Sequence, residues 1–128
     1  MSNDKGPAPG SIVWTDLTVR DAAELRDFYS EVVGWKPADV PMGDYNDFSM
    51  HAPSTGEAVA GVCHARGQNA ALPAQWLIYV TVENLDRRIA RCRELGGDVI
   101  AGPKTMGATA RYCVIRDPAG AVMALIEP

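Results

Sequence analysis

The chain predicts an α+β domain of two tandem βαβββ modules forming one curved mixed sheet with a concave cleft. A strand-then-helix unit runs from Ile12 through Asp21 into a helix closed by Gly34. A second runs from Trp76 through Asn84 into a helix closed by Gly96-Gly97. The copies start about 60 residues apart, which suggests one duplicated domain rather than a solenoid. Each helix is followed by alternating segments with turn residues between them, the pattern of three further strands.

In the first copy, Val13, Leu17 and Val19 share one parity and Trp14, Asp16 and Thr18 the other. That alternation marks a strand with one face on a helix. Asp21 with Glu24 three residues on reads as a helix start. Leu25, Phe28, Tyr29, Val32 and Val33 follow at helical spacing, and Gly34 supplies the left-handed stop. Trp35–Val40, Asp44–His51 and Glu57–His64 read as strands, with Pro53-Ser54-Thr55-Gly56 as a turn. Ala65–Pro73 is the linker.

The second copy repeats that order. Ile78, Val80 and Val82 should face a helix starting at Asn84 and carrying Leu85, Ile89, Cys92 and Leu95. Asp98–Ala101 reads as a strand broken by Gly102-Pro103. Arg111–Arg116 and Ala121–Ile126 flank the turn Asp117-Pro118-Ala119-Gly120. The modules are therefore 11–65 and 74–128 of a domain covering 11–128, preceded by a disordered tail over 1–10. Each module covers one sheet face with its helix, so the opposite faces curl together or bind something.

A chain of 128 residues, 47% hydrophobic and 22% charged, has room for one globular core. A net charge of −4 argues against nucleic acid or an anionic membrane surface as partner. No apolar run approaches the roughly 20 residues needed to span a bilayer, and the first ten residues lack the apolar stretch of a secretory signal. Cys63, Cys92 and Cys113 form neither a disulfide framework nor a metal knuckle, and fit small core residues in a reducing cytoplasm.

Leu17-Thr18-Val19-Arg20-Asp21 with Phe28-Tyr29 and Gly34-Trp35, then Val80-Thr81-Val82-Glu83-Asn84 with Leu95-Gly96-Gly97, then Arg116-Asp117-Pro118-Ala119-Gly120, occur in this order. Together they resemble the vicinal oxygen chelate superfamily of glyoxalases, bleomycin-resistance proteins and extradiol dioxygenases, over about Ser11 to Pro128. The resemblance implies the paired-module fold and a homodimer. It leaves the activity open, because one fold hosts many chemistries.

Metal-using members of that family place a His, Gln or Glu three residues before the Leu of the first motif, where this chain has Trp14. The matching place in the second copy is Leu77. The carboxylate expected after the glycine turn falls at Ala124, with a counterpart at about Ala60. None of the four offers a usable lone pair, so no metal and no cofactor is expected.

Other side chains stand as candidates beside simpler readings. Asp16 is a possible acid/base or ligand anchor, or a solvated strand residue. His51 shares a parity with Asp47 and Ser49, and His64 shares one with Ala60; each His could shuttle a proton or simply sit exposed. Tyr79 could stack on a ligand. Arg111 could clamp an anion, though it competes with Tyr112 for the inward direction. Trp14 and Trp76 either fill the cleft or wall it. Arg87, Arg88, Arg91 and Arg93 alternate with Glu83, Asp86 and Glu94 as a salt-bridged helix face.

The expected function is metal-independent binding of an aromatic or apolar small molecule, with Trp14, Asp16, Leu77, Tyr79, Arg111 and Ala124 around it. The alternative is a lyase-, isomerase- or dioxygenase-like enzyme using Asp16, His51 or His64 as acid/base, or a relocated metal.

Overall fold

Asp21 caps the first helix as its spacing to Glu24 requires: its Oδ1 accepts from the Glu24 amide at 3.1 Å. In a computed structural model that describes residues 6–128, the elements run β1 (Ile12–Val19), α1 (Ala22–Val33), β2 (Lys36–Pro41), β3 (Asn46–His51) and β4 (Ala58–His64). They continue as β5 (Trp76–Thr81), α2 (Leu85–Glu94), β6 (Asp98–Met106), β7 (Ala110–Arg116) and β8 (Val122–Glu127). A short 3₁₀ turn at Gly67–Asn69 lies in the linker. The chain thus has the expected α+β order, βαβββ twice. It divides into two units, Thr15–Trp76 and Leu77–Pro128 with the N-terminal stretch through Trp14.

In the unit Thr15–Trp76 the strands run β2-β3-β4-β1, with β1 and β4 parallel and the other neighbours antiparallel. Ala22 of α1 packs on Phe48, Met50, Ala60 and Val62, and Val19, Leu25, Tyr29, Trp35 and Trp76 close around them. Burying a side chain the size of Met50 or Val62 contributes roughly 1.5–3 kcal/mol. The β2 edge is exposed throughout and carries Pro37 and Pro41, which a central strand would not tolerate. Gly34 ends α1 at φ +88°, its amide donating to the Ser30 carbonyl at 3.0 Å. The apolar stripe of α1 is wider than its contact: Phe28, Val32 and Val33 stay exposed while Leu25 and Tyr29 pack.

In the other unit the order is β5-β8-β7-β6, with β5 and β8 parallel. Leu85 and Ile89 of α2 pack on Cys113 and Leu125, with Val82, Val99, Ile115 and Met123 around them. Asn84 caps α2 through the Arg87 amide, and Glu127 Oε1 accepts from the Leu85 amide at 2.8 Å. Leu95, expected on the packed stripe, is exposed, because the helix ends at Glu94. Ile78 is also largely exposed, while Val82 packs.

Two expectations change. Gly102-Pro103 does not break the strand: β6 continues to Met106 through register shifts on either side of Ala101. At φ +80°, Gly102 lets the backbone pass so close to β7 that a Cβ would stand 2.8 Å from the Tyr112 carbonyl oxygen. The tail expected over 1–10 lies outside the described residues for its first five. Its remainder is tied down at Thr81, whose carbonyl accepts from the Gly10 amide at 2.7 Å and whose hydroxyl donates to the Ala8 carbonyl at 2.9 Å.

Candidate functional site

Strand register decides which side chains share a face. In the unit Leu77–Pro128, Val80 pairs with Leu125 and Cys113 with Leu125, so these point at α2. Tyr79 pairs with Ala124, Ala124 with Val114, and Tyr112 with Ile126, which sets all of them on the face turned away from α2. Leu77 and Ala124 are fully buried, and Tyr79 and Tyr112 are each 5% exposed. The two tyrosine rings lie 6.0 Å apart, tilted by 43°. Lys104, paired with Tyr112 across β6, brings its ammonium within 5.5 Å of that ring.

The competition between Arg111 and Tyr112 is thereby resolved. Tyr112 takes the face of Tyr79, and Arg111 takes the α2 face. There its Nη2 donates to Asp86 Oδ1 at 3.0 Å. The pair pulls the Asp86 carboxyl below its ordinary value and raises the Arg111 guanidinium. Arg111 therefore stands apart from Tyr79 and Ala124, the residues with which it was grouped. The neighbouring arginines of α2 fit a solvated face, with Arg91 paired to Glu94 and Arg88 donating to the Glu83 carbonyl.

In the unit Thr15–Trp76, Asp16 pairs with Gly61 and Gly61 with Ser49, while Thr18 pairs with Cys63. Because Phe48, Met50, Ala60 and Val62 face α1, the row Asp16, Gly61, Ser49 lies on the opposite face. Asp16, Thr18 and Asp47 are all buried there. Burial, then the carboxylates of Asp16 and Asp47, push the Cys63 thiol far up, so it stays protonated and unreactive.

The histidines part company. His51 follows Ser49 on its face: Nε2 lies 2.8 Å from Ser49 Oγ and Nδ1 2.9 Å from the Gly56 carbonyl oxygen. His64 does not take the face opposite α1 that its spacing from Ala60 had suggested, because Ala60 itself packs in the α1 core. Its ring meets Phe48 and Tyr45, and Asp47 Oδ1 holds both its amide, at 2.8 Å, and its Nδ1, at 3.2 Å. Trp76 likewise belongs to the α1 core, its indole N–H donating to Tyr29 Oη at 3.2 Å. Trp14 is partly buried.

The residues at the four places where relatives hold a metal do not fit one. Trp14, Leu77 and Ala124 bring no donor atom, and Ala60 points to α1. Among the described residues no group of three or more His, Cys, Asp or Glu could hold an ion. Among them, too, no helix is long and apolar enough to cross a membrane.

The model of the Glyoxalase/Bleomycin resistance protein/Dioxygenase superfamily matches residues 11–125. Anthracycline biosynthesis protein DnrV of Streptomyces peucetius is 32% identical over 92% of this chain and 47% of its own length. The putative glyoxylase CFP32 of Mycobacterium tuberculosis is 26% identical over 93% of this chain and 44% of its own. The chain thus spans less than half the length of these curated relatives. Methylmalonyl-CoA epimerase of Streptomyces coelicolor is similar in fold, with a TM-score of 0.57 at 14% identity over 94% of this chain and 98% of that one. The Mycobacterium tuberculosis epimerase gives 0.54 at 17% identity, over 93% and 87%.

Proposed function

We propose that this chain, which belongs to the Glyoxalase/Bleomycin resistance protein/Dioxygenase superfamily, binds a planar aromatic or apolar small molecule without using a metal. The observation that carries this reading is the Tyr79–Tyr112 pair beside Ala124, on the sheet face turned away from α2. Aromatic faces and alkyl groups recognise flat, weakly polar ligands by stacking and desolvation. Alkyl groups at Leu77 and Ala124, where relatives that use a metal bring donor atoms, support recognition through side chains alone. Leu77 and Trp14, in the same unit, complete the ligand set. The likeness to DnrV, an anthracycline biosynthesis protein, makes fused-ring aromatic compounds the first ligands to try. Membership of this superfamily supports its working as a homodimer. The charge balance and cysteine usage support a cytoplasmic setting with neither nucleic acid nor membrane as partner.

The test is a thermal-shift titration with an anthracycline, before and after treatment with a chelator, beside elemental analysis of the purified protein. A ligand that binds the native state at a hundred times its Kd adds about 2.7 kcal/mol, a rise of about 10 °C for a domain of this size. The rise should be the same after chelation. Metal at one ion per chain, with binding lost on its removal, would overturn the reading.

An enzymatic reading, with side-chain acid/base groups acting on a bound small molecule, is favoured by one observation: Asp16 is a carboxylate buried to 8% exposure on the face opposite α1. Under it, Asp16→Asn leaves affinity nearly unchanged and removes turnover.

A further inference from the structure

We propose that Ser49 is a nucleophile activated by His51, able to accept an acyl group from an activated, uncharged carboxylic ester. Ser49 Oγ and His51 Nε2 are 2.8 Å apart on one face of β3. The other ring nitrogen, Nδ1, lies 2.9 Å from the Gly56 carbonyl oxygen. A carbonyl oxygen only accepts, so Nδ1 carries the hydrogen. In the neutral ring Nε2 then presents its lone pair, and the Ser49 hydroxyl donates to it. Nucleophile, base and orienting group form the chain that acyl transfer uses, with a backbone carbonyl where a carboxylate commonly stands.

Two features of the strands set this pair apart from an incidental surface bond. The β3–β4 register shifts between Met50 and His51, and such irregularities re-aim side chains. In addition, Ser49 stands opposite Gly61, and Gly61 is followed across the sheet by Asp16. Gly61 therefore contributes no side chain between serine and carboxylate, whose strands stand two spacings, or roughly 9–10 Å, apart. Ser49 and His51 are both partly exposed, so an ester carbonyl reaches the hydroxyl from their side of the strand. The Asp16 carboxylate on the same sheet face disfavours an anionic acyl chain.

In the reaction the Ser49 oxygen bonds to the ester carbonyl carbon while its proton passes to His51 Nε2. The bond from that carbon to the leaving oxygen breaks, and the leaving group departs with the electron pair and takes the proton. Water then bonds to the acyl carbon and gives a proton to His51 Nε2; the bond from that carbon to Ser49 Oγ breaks, Oγ takes the proton back from Nε2, and the carboxylic acid leaves.

The test is incubation of the full chain with p-nitrophenyl acetate, acid quench and fragmentation of the labelled peptides. A fluorophosphonate, whose serine adduct water removes slowly, serves as second probe. Both should label Ser49, at one group per chain. Ser49→Ala should abolish that label, and His51→Gln should slow it at least about 100-fold, the usual contribution of a general base. Mapping on the unaltered protein does not depend on any variant folding. Absence of both adducts, labels confined to lysine or tyrosine, or an unchanged rate at Ser49 in His51→Gln would each overturn the proposal. None of these outcomes bears on aromatic binding at Tyr79 and Tyr112.

Discussion

Tyr79 and Tyr112 stand on strands either side of β8, ring centroids 6.0 Å apart, with Ala124 beside them. The proposed function assigns the stacking of a flat ligand to this pair.

If that surface recognises the ligand, Tyr79→Leu and Tyr112→Leu should each weaken binding roughly 2- to 12-fold, the range for loss of a ring contact of about 0.5–1.5 kcal/mol. Leu keeps much of the buried volume, so the fold survives better than with Ala. Calorimetric titration of each variant against the ligand found by thermal shift checks this. Equal affinity in both variants would place the ligand elsewhere.

Arg111 provides the contrast on the same strand. Its partner is Asp86, so Arg111→Met should leave ligand affinity unchanged. Pairing depresses the Asp86 carboxyl from its ordinary 3.8 in the folded chain. A depressed carboxyl contributes stability above its unfolded value and loses it as pH falls through the folded one. Any gap in Tm between wild type and Arg111→Met should therefore be present near neutrality and close only below about pH 4. Both groups are exposed, so added salt should shrink it as well. Melting curves of both proteins across that range check the sign.

The order of elements, both helix starts and the Asp117–Gly120 turn were legible because caps, glycine stops and alternation are local signals. Asp117 Oδ1 duly accepts from the amides of Ala119 and Ala121. Strand register was not legible. The resemblance put Ala60 among the ligand places with Trp14, yet it packs on Ala22, and counting by twos from it carried His64 to the wrong face. The partner of Arg111 lies 25 residues away on α2, a distance no window of alternation spans. The continuation of β6 past Gly102-Pro103 rests on antiparallel bonds to β7, which outweigh the local turn signal. The Ser49–His51 contact could have been suspected from two polar residues at period-two spacing, but its orienting carbonyl at Gly56 could not.

Gly97 offers a test of packing at the end of α2. A Cβ there would stand 2.6 Å from Cys92 Sγ and 3.0 Å from the Arg116 carbonyl oxygen. The thiol can rotate, whereas the β7 backbone cannot retreat without disturbing its pairing with β6. Gly97→Ala should cost about 1–3 kcal/mol, the usual penalty for overpacking. Denaturant titration should show a lower midpoint with an unchanged slope. Pairing it with Cys92→Ala, which removes the closer clash, should recover part of the loss, and strict additivity of the two would argue against the contact.

Cys113 makes a prediction at the alkaline end. Its side chain packs between Leu85, Ile89 and Leu125. Burial first, then the neighbouring Cys92 thiol, push its pKa from 9.0 to about 11. A thiol whose folded value is raised contributes its stability in full below the unfolded value, and that contribution drains away as pH climbs through the folded one. Wild-type stability should therefore fall between about pH 9 and 11 by more than that of Cys113→Val, which has no proton to lose. The same burial predicts that iodoacetamide at pH 8 modifies Cys113 far more slowly in the native protein than in denaturant, because alkylation needs the thiolate. Parallel denaturant melts of the two proteins at pH 8, 9, 10 and 11 decide the matter. If their curves stay parallel across that range, proton loss at Cys113 is not coupled to unfolding.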